Sequence, residues 1–177
     1  STQGVSSAAS DVYKRQPTMS AQRTAIVIVA STRAAAGIYD DRAGPIAVDF
    51  LRRKGFDCPD ARIVPDAEIA AAVAAAFAEK PAVILTSGGT GLTHDDRTVE
   101  AVAPHITREL PGIAVAFWQK GLESVPTAVA SRAIAGVNDS TFAMTLPGST
   151  GGVKDGCAVL EELIVPIVDM LEGKHEH

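Results

Sequence analysis

The hydrophobic positions of the chain fall into short apolar runs that alternate with longer amphipathic segments. The first run, residues 25–30, is continuous and rich in β-branched side chains, which is typical of a strand buried on both faces of a parallel sheet. Residues 62–64 and 82–86 form two further runs of strand length. Because strands that alternate with helices require parallel crossovers, the pattern predicts an α/β fold.

Apolar residues at helical spacing occupy the segments between and after these strands. The predicted helices cover residues 45–54, 66–80, 98–106, 111–122 and 153–171. Asp66 is expected to cap the second helix, and Asp96 or Thr98 the third. Pro166 is expected to kink the last helix.

Two more predicted strands, residues 133–137 and 141–146, are separated by the turn-forming triplet Asn138-Asp139-Ser140. This spacing predicts a local hairpin at an antiparallel edge of the sheet. The expected architecture is therefore a three-layer α/β/α sandwich with a mostly parallel central sheet and an antiparallel edge hairpin. Residues 25–173 are long enough for one domain of this kind.

The two ends of the chain lack this periodicity. Residues 1–24 are polar and contain no apolar segment of a secretory signal, so they are expected to be a disordered leader or a remnant of expression cloning before a natural start at Met19. Residues 174–177 are expected to form a frayed polar tail.

Composition and charge narrow the class of protein. The chain is 46% apolar and 21% charged without a continuous apolar span, which predicts a water-soluble protein and no membrane partner. A net charge of −5 argues against a nucleic-acid partner and favours small ligands. The two cysteines and four histidines match no transition-metal spacing, and so few cysteines indicate a reducing, cytoplasmic location.

A glycine-rich loop follows the third predicted strand, with the sequence Ser87-Gly88-Gly89-Thr90-Gly91. Glycines let backbone amides approach an anion closely, and two hydroxyls are available to phosphate oxygens. The loop is neither a P-loop nor a dinucleotide fingerprint, because no Gly-Lys-Ser/Thr ends it and its glycine spacing differs. We expect it to bind the phosphate of a small molecule, and a simple tight turn is the alternative.

Other candidates stand near predicted strand ends, where ligands of parallel sheets collect. Asp66 and Asp96 are expected to face one crevice and hold Mg²⁺ together with substrate phosphates, unless they serve only as helix caps. Pro147, Gly148 and Ser149 belong to a second glycine-rich loop that is expected to bind another anion. The dipeptide Ser131-Arg132 offers a guanidinium fork for phosphate.

These loops occur together with several other motifs. The main motifs are Thr86-Ser87-Gly88-Gly89-Thr90-Gly91, Asp96-x-Thr98, Ser131-Arg132 and Leu146-Pro147-Gly148-Ser149. The amino-terminal half adds Ser31-Thr32-Arg33, Gly37, Tyr39, Asp41, Gly44 and Pro65-Asp66. Taken together they resemble the Mog/MoaB family of molybdenum-cofactor biosynthesis, over about residues 25–171.

The resemblance implies a homotrimeric molybdopterin adenylyltransferase. Such an enzyme uses Mg²⁺ and ATP as co-substrate to convert molybdopterin into adenylyl-molybdopterin and pyrophosphate, without a tightly bound organic cofactor, and hands its product to a molybdate-inserting protein. It assigns the family's two catalytic acids to Asp66 and Asp96. The substrate-binding residues it implies are Ser87, Gly88, Gly89, Thr90, Gly91, Ser131, Arg132, Pro147, Gly148 and Ser149.

Two departures from the family pattern bear on the subtype. Thr32 stands where many adenylyl-transferring relatives have Asp, and Thr145 stands where Asn is common. A second hypothesis is therefore a non-catalytic molybdopterin-binding paralogue. A third, from another class, is a flavodoxin-like binding module, which is disfavoured because only 5% of residues are aromatic and no loop offers a pair to stack on a flavin ring.

Overall fold

A six-stranded, mostly parallel sheet forms the centre of the protein, as predicted. The computed structural model describes residues 21–174. The strands are β1 (Ala25–Ala30), β2 (Arg62–Val64), β3 (Val83–Ser87), β4 (Arg108–Glu109), β5 (Ala135–Val137) and β6 (Phe142–Leu146). Their order across the sheet is β2-β1-β3-β6-β5-β4. The first four in that order are parallel, and β5 and β4 complete an antiparallel edge.

Helices cover both faces of this sheet. They are α1 (Thr32–Ala35), α2 (Ala43–Arg53), α3 (Ile69–Ala78), α4 (Thr98–Val102), α5 (Pro111–Leu122), α6 (Thr150–Leu160) and α7 (Ile164–Leu171). Short 3-10 turns occupy Asp66–Glu68, Ala103–His105 and Pro126–Ala130. One core cluster joins the sheet to α2, α5, α6 and α7, and a second joins it to α3 and α4. The predicted three-layer arrangement is therefore confirmed.

The buried strands explain why the sheet is central. All six residues of β1 and all five residues of both β3 and β6 are buried, because successive side chains point into the two opposite helical layers. Within each of these strands, alternate residues divide between the two core clusters: Val27 and Leu85 enter the first, and Ile28 and Ile84 the second. Alternate residues of one buried strand thus contribute to both core clusters.

The predicted hairpin is present between β5 and β6. Asn138 closes its turn, since the Asn138 side-chain oxygen accepts hydrogen bonds from the backbone N–H groups of Ser140 (3.0 Å) and Thr141 (2.8 Å). The sheet also contains β4, which sequence reasoning missed. With two residues, Arg108 and Glu109, both exposed, β4 is too short to produce a hydrophobic period.

The predicted continuous last helix was wrong. Helix α6 ends at Leu160 and α7 begins at Ile164, with a turn between them. Pro166 is the third residue of α7 and kinks nothing. In the first turn of a helix a residue has no intrahelical partner for its N–H, so a proline there costs little.

The predicted capping roles of the two aspartates and Thr98 were also wrong. Helix α3 starts only at Ile69, after the 3-10 turn that contains Asp66, and it has no side-chain cap. Helix α4 is preceded by Arg97, likewise without a side-chain cap, and Thr98 is its first residue. The Asp66 carboxylate instead bonds Thr32, which follows β1, and the Asp96 carboxylate bonds Thr93 within its own loop.

The amino-terminal edge of the described region is tied to the carboxy-terminal helix. The Arg23 guanidinium contacts the carboxylates of Asp169 and Glu172, and Thr24 forms a bridge with Asp57. Residues 1–20 of the predicted leader and 175–177 of the predicted tail lie outside the described residues. Within residues 21–174, no helix has the length and apolarity needed to cross a membrane.

Candidate ligand-binding site

The loops predicted to carry chemistry meet at one edge of the sheet. The parallel strands β2, β1, β3 and β6 are neighbours in that order, so the loops that follow them lie side by side at their carboxyl ends. Strand β5 runs the opposite way, so the segment before it reaches the same edge. Asp66, the glycine-rich loop, Ser131-Arg132 and the second glycine loop therefore share one surface.

Two glycines of the first loop have no room for a side chain. Gly88 has a φ of 92°, and a Cβ there would collide with the carbonyl oxygen of Ala30 at the end of β1. Gly89 has a φ of 75°, and a Cβ there would collide with the Thr98 hydroxyl. Both φ values lie in the left-handed region that favours glycine. The loop consequently presses its backbone against β1 on one side and α4 on the other.

Hydrogen bonds join the two glycine loops. The Ser87 hydroxyl donates to the Pro147 carbonyl (3.1 Å), and the Gly88 N–H donates to the Leu146 carbonyl (2.9 Å). A Cβ on Gly148 would lie 3.5 Å from the Gly88 Cα, so the backbones of the two loops are in contact. The loops after β3 and β6 thus form one continuous backbone surface.

Asp66 is held by the loop after β1. Its Oδ2 accepts hydrogen bonds from the Thr32 N–H (3.2 Å) and the Thr32 hydroxyl (2.8 Å). The Asp66 N–H donates back to the Thr32 hydroxyl (3.1 Å). Sequence reasoning included Thr32 in the Ser31-Thr32-Arg33 motif and noted it as a departure from the family pattern. It missed this contact, because residues 34 positions apart give no local signal.

Asp96 is held within its own loop. Its Oδ2 accepts hydrogen bonds from the Thr93 N–H and the Thr93 hydroxyl, both at 2.9 Å. Gly91 lies close beside it: a Cβ on Gly91 would lie 2.6 Å from the same oxygen, so the Asp96 side chain would have to shift. The Thr-x-x-Asp spacing of residues 93–96 is a signal that sequence reasoning had available and did not use.

The two carboxylates suit a hard cation that also binds phosphate. In Asp66 and Asp96 alike, the hydrogen bonds from residues 21–174 all reach Oδ2, which leaves Oδ1 open as a ligand. Those residues contain no group of three or more His, Cys, Asp or Glu side chains that could cage a metal. Mg²⁺ matches this donor set, because it commonly takes one or two carboxylates and completes its shell with water and substrate phosphates.

Arg132 spans the first glycine loop. Its Nε donates to the Gly91 carbonyl and its Nη2 to the Asp96 carbonyl, each at 2.9 Å, and its Nη1 contacts the Glu100 carboxylate. Its backbone N–H donates to the Thr90 carbonyl (2.9 Å). The Arg132 guanidinium lowers the pKa of Glu100 by hydrogen bonding, so this carboxylate stays charged.

A cavity of ≈ 430 Å³ adjoins these loops, between the end of α5 and the start of α6. Ser131, Pro147 and Ser149 line the side towards the loops. Phe117 and Lys154 line it as well, and sequence reasoning did not assign Phe117 to a site. The Ser149 hydroxyl accepts a hydrogen bond from the Gly152 N–H (3.0 Å) and so caps α6.

Neither cysteine is suited to nucleophilic chemistry. Cys58 and Cys157 are both buried, and burial raises the pKa of the first to about 11 and of the second to about 12. The reactive thiolate is therefore scarce near neutral pH. The site consists of carboxylates, hydroxyls and backbone amides, a set that binds and orients phosphates without a covalent intermediate.

Comparison with protein families gives one match over most of the chain. Residues 26–169 match the model of the family described as "Probable molybdopterin binding domain". The chain is 40% identical over 153 residues to the molybdenum cofactor biosynthesis bifunctional protein of Chlorobaculum tepidum, which covers 85% of this chain and 49% of that protein. This chain thus spans about half the length of that relative.

Similar proteins of comparable length also exist. The chain is 35% identical over 155 residues to molybdenum cofactor biosynthesis protein B of Staphylococcus aureus, covering 84% of this chain and 89% of the relative. Among solved structures, the molybdopterin biosynthesis Mog protein of Mycobacterium ulcerans superimposes with a TM-score of 0.81 at 38% identity. That superposition covers 87% of this chain and 99% of the other.

Proposed function

The chain belongs to the family of probable molybdopterin-binding domains of molybdenum cofactor biosynthesis, and from this membership we propose that it adenylylates molybdopterin with Mg-ATP. The products are adenylyl-molybdopterin and pyrophosphate. The observation that carries the proposal is the shared edge of the sheet. There, two glycine loops in backbone contact lie beside two carboxylates that each keep one oxygen open.

In the proposed reaction, an oxygen of the molybdopterin phosphate attacks the α-phosphorus of ATP, and the bond from that phosphorus to the β-phosphate bridging oxygen breaks. Both reactants are anions, so the site must offset their repulsion and align them. The backbone N–H groups of Gly89, Thr90 and Gly91 and those of Gly148 and Ser149 are proposed to donate to the phosphates, together with the Thr90 hydroxyl. The hydroxyls of Ser87 and Ser131 support these loops, since Ser87 donates to the Pro147 carbonyl and Ser131 to the Thr90 hydroxyl.

Asp66 and Asp96 are proposed to hold Mg²⁺ through their open oxygens. A bound Mg²⁺ supplies positive charge to the phosphates of ATP. The hydrogen bonds from Thr32 and Thr93 hold the other oxygen of each carboxylate, Oδ2, and so restrain the side chain.

Replacing each aspartate by asparagine tests the assignment. Asp66→Asn and Asp96→Asn are each expected to lower the rate of adenylyl-molybdopterin formation by about 100-fold or more, because an amide oxygen lacks the charge that Mg²⁺ requires. Asp139→Asn is the matched control, since Asp139 is exposed in the hairpin turn at the opposite end of the sheet. Product formation is measured by chromatography under saturating Mg-ATP.

The same assay tests the second hypothesis, a non-catalytic molybdopterin-binding paralogue. A non-catalytic paralogue would bind molybdopterin, as measured by fluorescence titration, without forming product in the wild-type protein. Full activity in both aspartate variants would instead contradict their assignment while preserving the transferase. Transfer of the product to a molybdate-inserting protein and assembly into a homotrimer are further parts of the proposal, and they rest on the family membership.

A further inference from the structure

Arg132 makes more hydrogen bonds to the first glycine loop and the segment after it than direct binding of a phosphate would require. The segment from Gly91 to Asp96 connects the first glycine loop to α4, and Arg132 bonds both of its ends through two different nitrogens. The side chain is 34% exposed and its Glu100 partner 58%. Three of the five N–H donors of the guanidinium group are therefore engaged within the protein.

The geometry of these contacts is that of a clamp. A guanidinium group is planar and rigid, so two carbonyl oxygens bonded to it are held at a fixed separation. The Gly91 carbonyl belongs to the part of the loop proposed to bind phosphate, and the Asp96 carbonyl belongs to the proposed metal ligand. Glu100, on α4, holds the guanidinium from a third direction.

We infer that Arg132 is a positioning residue that fixes Asp96 relative to the backbone amides of residues 89–91, which are proposed to bind phosphate. This inference rests on the proposed function. It assigns Arg132 a different role from direct phosphate binding, which sequence reasoning predicted for it. Ser131 reinforces the same loop, because its hydroxyl donates to the Thr90 hydroxyl (3.2 Å).

Replacing Arg132 by lysine distinguishes a positioning role from direct phosphate binding. Arg132→Lys keeps the positive charge, so much of its attraction for a phosphate is retained, but an ammonium group cannot bridge both carbonyls in one plane. Arg62→Lys is the matched control: Arg62 pairs with Glu79 through two nitrogens and touches no residue of the loop. In both variants, lysine replaces an arginine that is paired with a glutamate.

Amide hydrogen exchange reports the clamp directly. The N–H groups of Thr93, Asp96 and Thr98 donate to Asp96 Oδ2, the Thr93 carbonyl and the Gly89 carbonyl, respectively. Arg132→Lys is expected to speed exchange at these three amides by about tenfold, as the loss of one or two hydrogen bonds implies. The Asn138 N–H, bonded in the distant hairpin, is expected to keep its rate in both variants.

Steady-state kinetics provide the second readout. A clamp predicts that Arg132→Lys lowers kcat by about tenfold or more while KM for molybdopterin changes by less than about threefold. A direct phosphate ligand would instead raise KM and leave exchange at the three amides unchanged, and that result would overturn the inference. If wild-type protein shows no turnover, the proposed function fails, but the exchange experiment still tests the clamp.

A second variant covers the possibility that Arg132→Lys does not fold. Glu100→Gln removes the charge that orients the guanidinium but leaves both carbonyl contacts available. It is expected to speed exchange at Thr93, Asp96 and Thr98 by about two- to threefold, a smaller effect than that of Arg132→Lys. Unchanged exchange at all three amides in Glu100→Gln would contradict the proposed clamp.

Discussion

Individual glycines differ in which neighbouring atoms an added side chain would contact. At Gly89 a methyl group would face two separate obstacles, a φ of 75° and the Thr98 side chain. Gly89→Ala is therefore expected to lower the free energy of unfolding by about 2–5 kcal/mol, the sum of a left-handed backbone cost and an overpacking cost. Urea denaturation followed by circular dichroism measures the change.

Two control substitutions separate these costs. Gly37 has a φ of 72° but no atom within 4 Å of a built Cβ, so Gly37→Ala carries the backbone cost alone, about 1–2 kcal/mol. Gly112 lies in α5, also with nothing within 4 Å, and Gly112→Ala is expected to stabilise by about 0.5–1 kcal/mol. Equal losses for Gly89→Ala and Gly37→Ala would show that contact with Thr98 is unimportant.

At the same scale, sequence reasoning identified residue types better than their partners. The glycine loop was predicted from its composition, and the structure places it against β1 and α4. The Thr32 partner of Asp66 was missed because the two residues are 34 positions apart, and the Thr93 partner of Asp96 was missed although the Thr-x-x-Asp spacing was available. Helix capping was expected of both aspartates because each precedes a helix, but their carboxylates bond threonines in loops.

Among the elements, α2 and α6 are joined by an ion-pair cluster at their ends. Glu161 follows α6, and its carboxylate accepts hydrogen bonds from Arg53 (2.7 and 3.2 Å) and pairs with Lys54 (2.9 Å). These contacts lower the pKa of Glu161 from 4.5 to about 2, Arg53 having the larger effect. The folded protein therefore prefers the charged carboxylate more strongly than the unfolded chain does.

Stability should consequently depend on pH through Glu161. A lowered folded-state pKa contributes stability above about pH 4.5, and that contribution is lost as pH falls towards 2. The wild-type protein is expected to melt slightly above Glu161→Gln at pH 6, with the difference shrinking between pH 4.5 and 2. The expected difference is small because the side chain is 40% exposed. A difference that stays constant over this range would rule out the ion pairs as its source.

The buried strands were predicted well from their hydrophobic patterns, and the break between the last two helices was not. Strand β1 is a continuous apolar run and β3 and β6 are mostly apolar, and the bounds of all three agree with prediction to within one residue. The break between α6 and α7 escaped detection because apolar residues continue at helical spacing across it, from Leu160 to Leu163, Ile164 and Ile167. A hydrophobic pattern indicates which face of a helix packs against the core. It does not reveal a turn between two helices when the apolar spacing continues across that turn.

For the molecule as a whole, the sheet itself offers poor surfaces for association. Its edge strands are β2, with three residues, and β4, with two, and short edges present few unpaired backbone groups. Within residues 21–174, the large apolar side chains that are more than half exposed lie on helices and loops rather than in the sheet: Ile38, Leu92, Val129 and Met170. Assembly of the proposed homotrimer is therefore expected to bury apolar side chains rather than to extend the sheet.

Solution mass tests this assembly. Light scattering after size-exclusion chromatography is expected to give three times the 18.3 kDa of one chain, and the same mass in about 1 M NaCl, because apolar contacts are not screened by salt. Dissociation at high salt would contradict an apolar interface. A mass of one chain in both conditions would contradict the trimer. It would leave the transferase proposal standing, because every residue assigned to the site comes from the loops of a single chain.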